Sequence, residues 1–141
     1  MKLDAIWDYD INPHFNEVLQ WMEDNDKTSI LDLGAGLGDC LMAAKDVGHA
    51  VLGFENNPEL LKDAPKEIIE KDILKIVKKN LKGYEVIYSW EPFKHPVKAK
   101  KFIEMVFKKL HKGQVLIYKA QKHMPRSIPY ERCGQHFIAV K

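Results

Sequence analysis

The run Asp32-Leu33-Gly34-Ala35-Gly36-Leu37-Gly38-Asp39 constrains this chain more than any other feature, because it joins a short apolar strand to an amphipathic segment. Glycines at such a junction let the backbone turn sharply and approach a ligand with no Cβ in the way. A helix that starts there adds unpaired N–H donors and the positive end of its dipole. In an open doubly wound sheet, ligands bind beyond the carboxyl ends of the strands at the point where strand order reverses. The spacing narrows the ligand. A dinucleotide site requires G-x-G-x-x-G, whereas the glycines here fall at 34, 36 and 38 and the sixth position is Asp39. A carboxylate at that helix start would repel a pyrophosphate, which disfavours a dehydrogenase.

The rest of the chain repeats one rhythm. Asn12-Pro13 reads as a helix cap followed by a first-turn proline, and Phe15, Val18, Leu19 and Met22 then mark one helical face. Strands are expected at 30–33, 50–54, 67–70, 84–90 and 114–119. Helices are expected at 37–47, 58–63, 73–81 and 96–111. In the second helix Leu37, Leu41, Ala44 and Val47 would be buried, and in the last Ile103, Val106, Phe107 and Leu110. Gly48, Gly83 and Gly113 suit helix stops. Strands apolar on both faces, alternating with helices, predict an α/β fold: a doubly wound, mostly parallel Rossmann-like sheet. The last 21 residues leave room for a short antiparallel hairpin, with a turn at Cys133-Gly134 and a strand at 136–140.

At 141 residues the chain fits one domain, with residues 1–12 a separate lid or disordered segment. No apolar run reaches the ~20 residues of a membrane span, and the start lacks the profile of a secretory signal, so a cytoplasmic protein is expected. Cys40 and Cys133 form no C-x-x-C pair, Cys40 reads as a core residue, and the six histidines lack metal-ligand spacing. No metal is expected. The net charge of +2 conceals a division: residues 1–93 hold 10 Lys/Arg and 18 Asp/Glu, residues 94–141 hold 12 and 2. Such asymmetry marks either a surface for nucleic acid or another acidic partner, or simply a solvated basic helix and tail.

The acid-led G-x-G-x-G run resembles motif I of the class I, seven-strand, S-adenosylmethionine-dependent methyltransferases. Further residues match that family in order, over roughly residues 13–120. The resemblance implies that Asp32, Gly34, Ala35, Gly36 and Gly38 form the turn holding the methionine portion, with Asp32 reaching its ammonium directly or through water. It implies that Glu55, ending the second strand, accepts both ribose hydroxyls, with Asn56 and Asn57 following it. It implies that Asp72 lies near the adenine amino group, with Ile73 against the ring. Each has a plainer alternative: a tight loop, a strand-end acid in water, a helix cap.

The fourth strand ends in Ser89-Trp90-Glu91-Pro92-Phe93. Amino-group methyltransferases carry an Asn-Pro-Pro-Tyr-like motif here, and only Pro92 and Phe93 match its last two positions. Glu91 is the candidate to orient an amine or take its proton, or else it caps a loop. Trp90 and Phe93 would wall the acceptor or seal the sheet's end. The compact ending looks like that of small protein-lysine methyltransferases, so a macromolecular acceptor is expected, protein before nucleic acid. A homodimer or partner subunit would complete an open site, and residues 7–15 would act as a lid over the cofactor. Two other functions stay open: a degenerate cofactor-binding module serving as a regulatory subunit, and an RNA or DNA methyltransferase using the basic carboxy-terminal region.

Overall fold

A computed structural model describes residues 14–79, 81–90, 92–93, 95–119 and 124–141. Most of the expected lid segment and Glu91 lie outside the described residues. The elements are α1 (Phe15–Asp24), β1 (Ser29–Leu33), α2 (Asp39–Asp46), β2 (Ala50–Glu55), α3 (Pro58–Leu61), β3 (Ile68–Glu70), α4 (Ile73–Lys79), β4 (Val86–Trp90), α5 (Pro96–Lys109), β5 (Val115–Lys119), β6 (Glu131–Cys133) and β7 (His136–Val140). They build one seven-stranded sheet in the order β3-β2-β1-β4-β5-β7-β6. The first five strands are parallel, and β7 runs antiparallel to both β5 and β6. The chain winds outward one way from β1 to β3 and the other way from β4 onward. The β1–β4 boundary is therefore the switch point, and the glycine run follows β1 there.

Alternate strand residues face opposite layers. Ile30, Val86, Tyr88, Ile117 and Ile138 pack under α1 and α2. Leu31, Leu33, Ile87, Leu116 and Phe137 pack under α4 and α5. The stripe Phe15, Val18, Leu19 and Met22 is buried as its spacing predicts, and Cys40 is buried in the same layer. Residues 124–130, the described part of the link from β5 to β6, make turns rather than a helix, with Met124 and Ile128 buried against the α5 layer.

Four expectations need correction. The second helix begins at Asp39, not at 37, because Gly38 caps it with a φ of 89° that no helical residue adopts. Leu37 and Val47, expected in its buried stripe, are 42% and 47% exposed. In α5 the buried stripe includes Phe102 in place of Phe107, whose ring instead lies at the stripe's edge with Lys141 Nζ 4.7 Å from its centroid. Gln114 is not a strand residue: its side-chain amide donates to the carbonyls of Leu81 and Tyr84.

Candidate functional site

The glycine run makes a turn that only glycine permits. Gly34, Gly36 and Gly38 have φ of 85°, 59° and 89°, a region costly for residues with a Cβ. The turn is tied to the end of β2: the amides of Gly34 and Ala35 both donate to the Phe54 carbonyl at 2.9 Å. Gly53 permits this close seat, since a Cβ there would come within 2.8 Å of the Ala35 Cβ. On the other side Ser89 Oγ donates to the Leu33 carbonyl, fixing β4 to the end of β1.

A cleft of about 300 Å³ opens beyond these strand ends, lined by Gly34, Glu55, Asn56, Asp72, Ile73, Leu74, Pro92 and Phe93. Residues predicted from three separate strand ends are thus brought together. A larger hollow of about 940 Å³ lies by α1 and the starts of β1 and β2, reaching Thr28, Val47 and His49, away from the glycine turn. Size alone does not find the site.

Glu55 organises the cleft. One carboxylate oxygen accepts the Gly36 amide at 2.8 Å, and the other accepts those of Asn56 and Asn57 at 3.2 and 3.1 Å. A carboxylate offers about four lone-pair sites, so a vicinal diol binding both oxygens must displace at least one of the three amides. Asp72 is both a cleft wall and a helix cap, its Oδ1 accepting the Leu74 amide at 3.0 Å. Asn57 caps α3 through the Glu59 amide, while Asn56 faces the cleft.

Asp32 is buried, 4% exposed, at the fourth position of β1. Burial, and then the negative charge of Glu55, push its carboxyl from the ordinary 3.8 up to about 7. Such a group invites a cation, which would restore its charge.

Two predicted site residues do other work. A Cβ on Gly38 would come within 2.6 Å of Ile68 Cδ1, so this glycine serves packing against β3. Trp90 is not among the residues lining the cleft; it is 37% exposed, with Lys119 Nζ 4.3 Å from the ring centroid. Phe93 does line the cleft, and its ring meets Phe102 edge-on at 5.2 Å.

Sequence reasoning missed a buried polar chain beside Asp32. Tyr88, opposite Asp32 in register, is 3.4 Å through its OH from His136 Nε2, and His136 Nδ1 is 3.2 Å from Glu17 Oε1. A carboxylate only accepts, so Nδ1 carries the imidazole proton and Nε2 accepts from Tyr88. Burial lowers His136 from 6.5 to about 4 against the pull of Glu17. The one sequence signal was a histidine opening the apolar run Phe137-Ile138-Ala139-Val140.

Solved structures with this architecture decide the fold. A protein described as a caffeoyl-CoA O-methyltransferase from Staphylococcus aureus matches with a TM-score of 0.65 at 19% identity, over 84% of this chain and 66% of its own. Magnesium protoporphyrin IX methyltransferase from Synechocystis, solved with S-adenosylmethionine bound, matches with a TM-score of 0.69 at 12% identity, over 92% and 78%. An S-adenosylmethionine-dependent methyltransferase from Clostridium acetobutylicum matches with a TM-score of 0.57 at 16% identity, over 83% and 55%. This chain has the class I methyltransferase fold. Two of the three are described with S-adenosylmethionine, one as dependent on it and one with it bound. The chain spans between about half and four-fifths of the length of these three structures. No protein-family model matches it, and no curated protein matches it in sequence. No helix among the described residues is long and apolar enough to cross a membrane.

Proposed function

We propose that the cleft binds S-adenosylmethionine and that the chain transfers its methyl group to an acceptor, in the cytoplasm. The observation that carries this reading is the buried Asp32 carboxyl near the end of β1, two residues before the glycine turn, where burial and the Glu55 charge disfavour its ionised form. A cationic amino acid end at the turn answers that carboxyl, and a nucleoside in the cleft answers Glu55 and Asp72.

When bound, the cofactor would supply an electrophilic methyl group on a sulfonium, available to an acceptor's lone pair. The residues of the chain bind and orient. Asp32 holds the ammonium. Glu55 exchanges an amide contact for the ribose diol. Asp72, through its oxygen not engaged with Leu74, accepts from the adenine amino group. Ile73 and Phe93 supply apolar surface for the ring. Held alignment is the larger part of such catalysis. A macromolecular acceptor remains part of this reading, although no described residue lining the cleft selects a lysine side chain.

Calorimetry with S-adenosylmethionine and its demethylated product tests the reading. Micromolar affinity is expected, on the order of −8 kcal/mol, falling about tenfold or more in Glu55→Ala. Transfer of labelled methyl to protein, RNA or small molecules of a lysate then identifies the acceptor class. Glu55→Ala with unchanged affinity would sink the ribose assignment. Tight binding without transfer would make the chain a cofactor-binding module.

A further inference from the structure

Glu55 meets the cleft with its carboxylate already engaged. Its Oε1 accepts the Gly36 amide at 2.8 Å, and its Oε2 accepts the amides of Asn56 and Asn57 at 3.2 and 3.1 Å. A carboxylate has about four lone-pair sites, so two new hydroxyl donors require one of these amides to leave. Asn57 is poorly placed to do so. Its carbonyl accepts the amides of Leu60 and Leu61, and its side chain caps α3 through the Glu59 amide. Asn56 is held between Asn57 and the end of β2 at Glu55.

Gly36 is placed differently. Before it, the Gly34 and Ala35 amides are pinned to the Phe54 carbonyl. After it, Gly38 donates to the Ala35 carbonyl and has no room for a Cβ beside Ile68. Between these fixed points the turn is loosely packed. Beyond its chain neighbours, no atom lies within 4 Å of where a Gly36 Cβ would stand, and Leu37 is 42% exposed. Glycine also tolerates the backbone rotations that moving the amide requires. Once Gly36 has left, the carboxylate is held from one side and can turn to meet both hydroxyls of a diol. The freed amide then requires an acceptor of its own. Gly36 is half-buried, so water replaces the carboxylate only in part.

We propose that the Gly36–Glu55 hydrogen bond makes the site selective for ligands that carry both a ribose diol and an amino-acid carboxylate. The diol displaces the Gly36 amide from Glu55, and the freed amide donates to the carboxylate, whose neighbouring ammonium lies at Asp32. The two ends of the ligand are those of the S-adenosylmethionine reading, on which this inference rests. A free nucleoside breaks the bond and leaves the amide short of an acceptor. A free amino acid finds the amide already taken. Each half of the ligand therefore favours binding of the other, and the coupling is reciprocal.

Calorimetry with the full chain tests this, using adenosine, methionine, deoxyadenosine and the demethylated cofactor. Saturating methionine should tighten adenosine about fivefold, and saturating adenosine should tighten methionine by the same factor. Deoxyadenosine, which lacks the vicinal diol, should show no coupling to methionine, and Glu55→Ala should abolish the coupling with adenosine. Amide hydrogen exchange reads the swap itself. The Gly36 amide should exchange faster with adenosine bound alone and slower once methionine joins it. Independent binding of the two halves, or a Gly36 amide that adenosine leaves protected, overturns the inference and leaves the cofactor reading standing. So does adenosine that alone binds as tightly as the demethylated cofactor. Failure of the demethylated cofactor itself to bind ends that reading and this inference with it.

Discussion

Asp32→Asn should stabilise the fold and weaken its ligand, and the first effect should depend on pH in a defined way. The folded chain holds the Asp32 proton up to about pH 7, whereas the unfolded chain releases it near 3.8. Between those values the folded state binds more protons, so stability falls as pH rises. Below 3.8 both states are protonated and the group contributes nothing; above 7 the loss is complete. The gap is a little over three units, at 1.36 kcal/mol each about 4 kcal/mol. Asparagine keeps the shape and carries no charge to bury. The variant's advantage should therefore grow from about pH 4 to 7 and then level off. With a urea slope of about 2 kcal/mol per M, the midpoints should separate by about 2 M at pH 8 relative to pH 4. Equilibrium urea unfolding of both chains at several pH values measures this. A difference between the two chains that does not change with pH would refute the burial argument. The same carboxyl gains charge when an ammonium binds beside it, so wild-type cofactor affinity should rise with pH up to about 7, with proton release below it. Calorimetry in buffers of different ionisation enthalpy reads that proton directly, and Asp32→Asn abolishes it.

The remaining expectations concern backbone and hairpin. Gly38→Ala meets both a φ of 89° and Ile68 at 2.6 Å, and should cost about 2–3 kcal/mol by thermal or urea unfolding. Gly36→Ala has a φ of 59° and open space around it, so it should cost only about 1 kcal/mol; equal costs would show that packing is not what requires Gly38. Gly134→Ala would drive its Cβ into the Glu17 carboxylate, which accepts the Gln135 amide and the His136 Nδ1 proton. It should destabilise the chain and release the hairpin, read as faster amide exchange in β6 and β7 than in β1.

Much of the fold was legible because parallel strands buried on both faces must be apolar throughout, and helix stops need glycine. The runs Ile30-Leu31, Val86-Ile87 and Val115-Leu116-Ile117 declare their strands, and Gly48, Gly83 and Gly113 adopt the positive φ expected of them. The end of the first loop was misjudged because periodicity does not report φ: Leu37 fits a helical stripe, yet three left-handed glycines hold it in the turn. Glu55, Asp72 and the glycine run were legible as a site because topology alone brings the ends of adjacent parallel strands together. The Glu17–His136–Tyr88 chain was not, since it joins the first helix to the last strand across 119 residues of sequence. Only the folded sheet sets β7 beside β5, one strand from Tyr88.

Asp32 and His136 also oppose each other in a way that neither reveals alone. His136 is neutral in the folded chain until about pH 4 but takes up a proton near 6.5 when unfolded. Between those values the unfolded state binds more protons, so this group makes stability rise with pH. Asp32 makes it fall over nearly the same interval. Each contributes about 1.4 kcal/mol per pH unit with opposite sign, so from about pH 4 to 6.5 the wild-type contribution of the pair should be close to flat. Asp32→Asn exposes the rising limb of His136, about 3 kcal/mol over roughly 2.5 units. His136→Gln exposes the falling limb of Asp32. A flat wild-type profile flanked by two sloping variants of opposite sign requires both groups to be buried uncharged at slightly acid pH. If either single variant remained flat, the partner group would be solvated in the folded chain, and the face shared by Asp32, Tyr88 and His136 would be wetter than this packing allows.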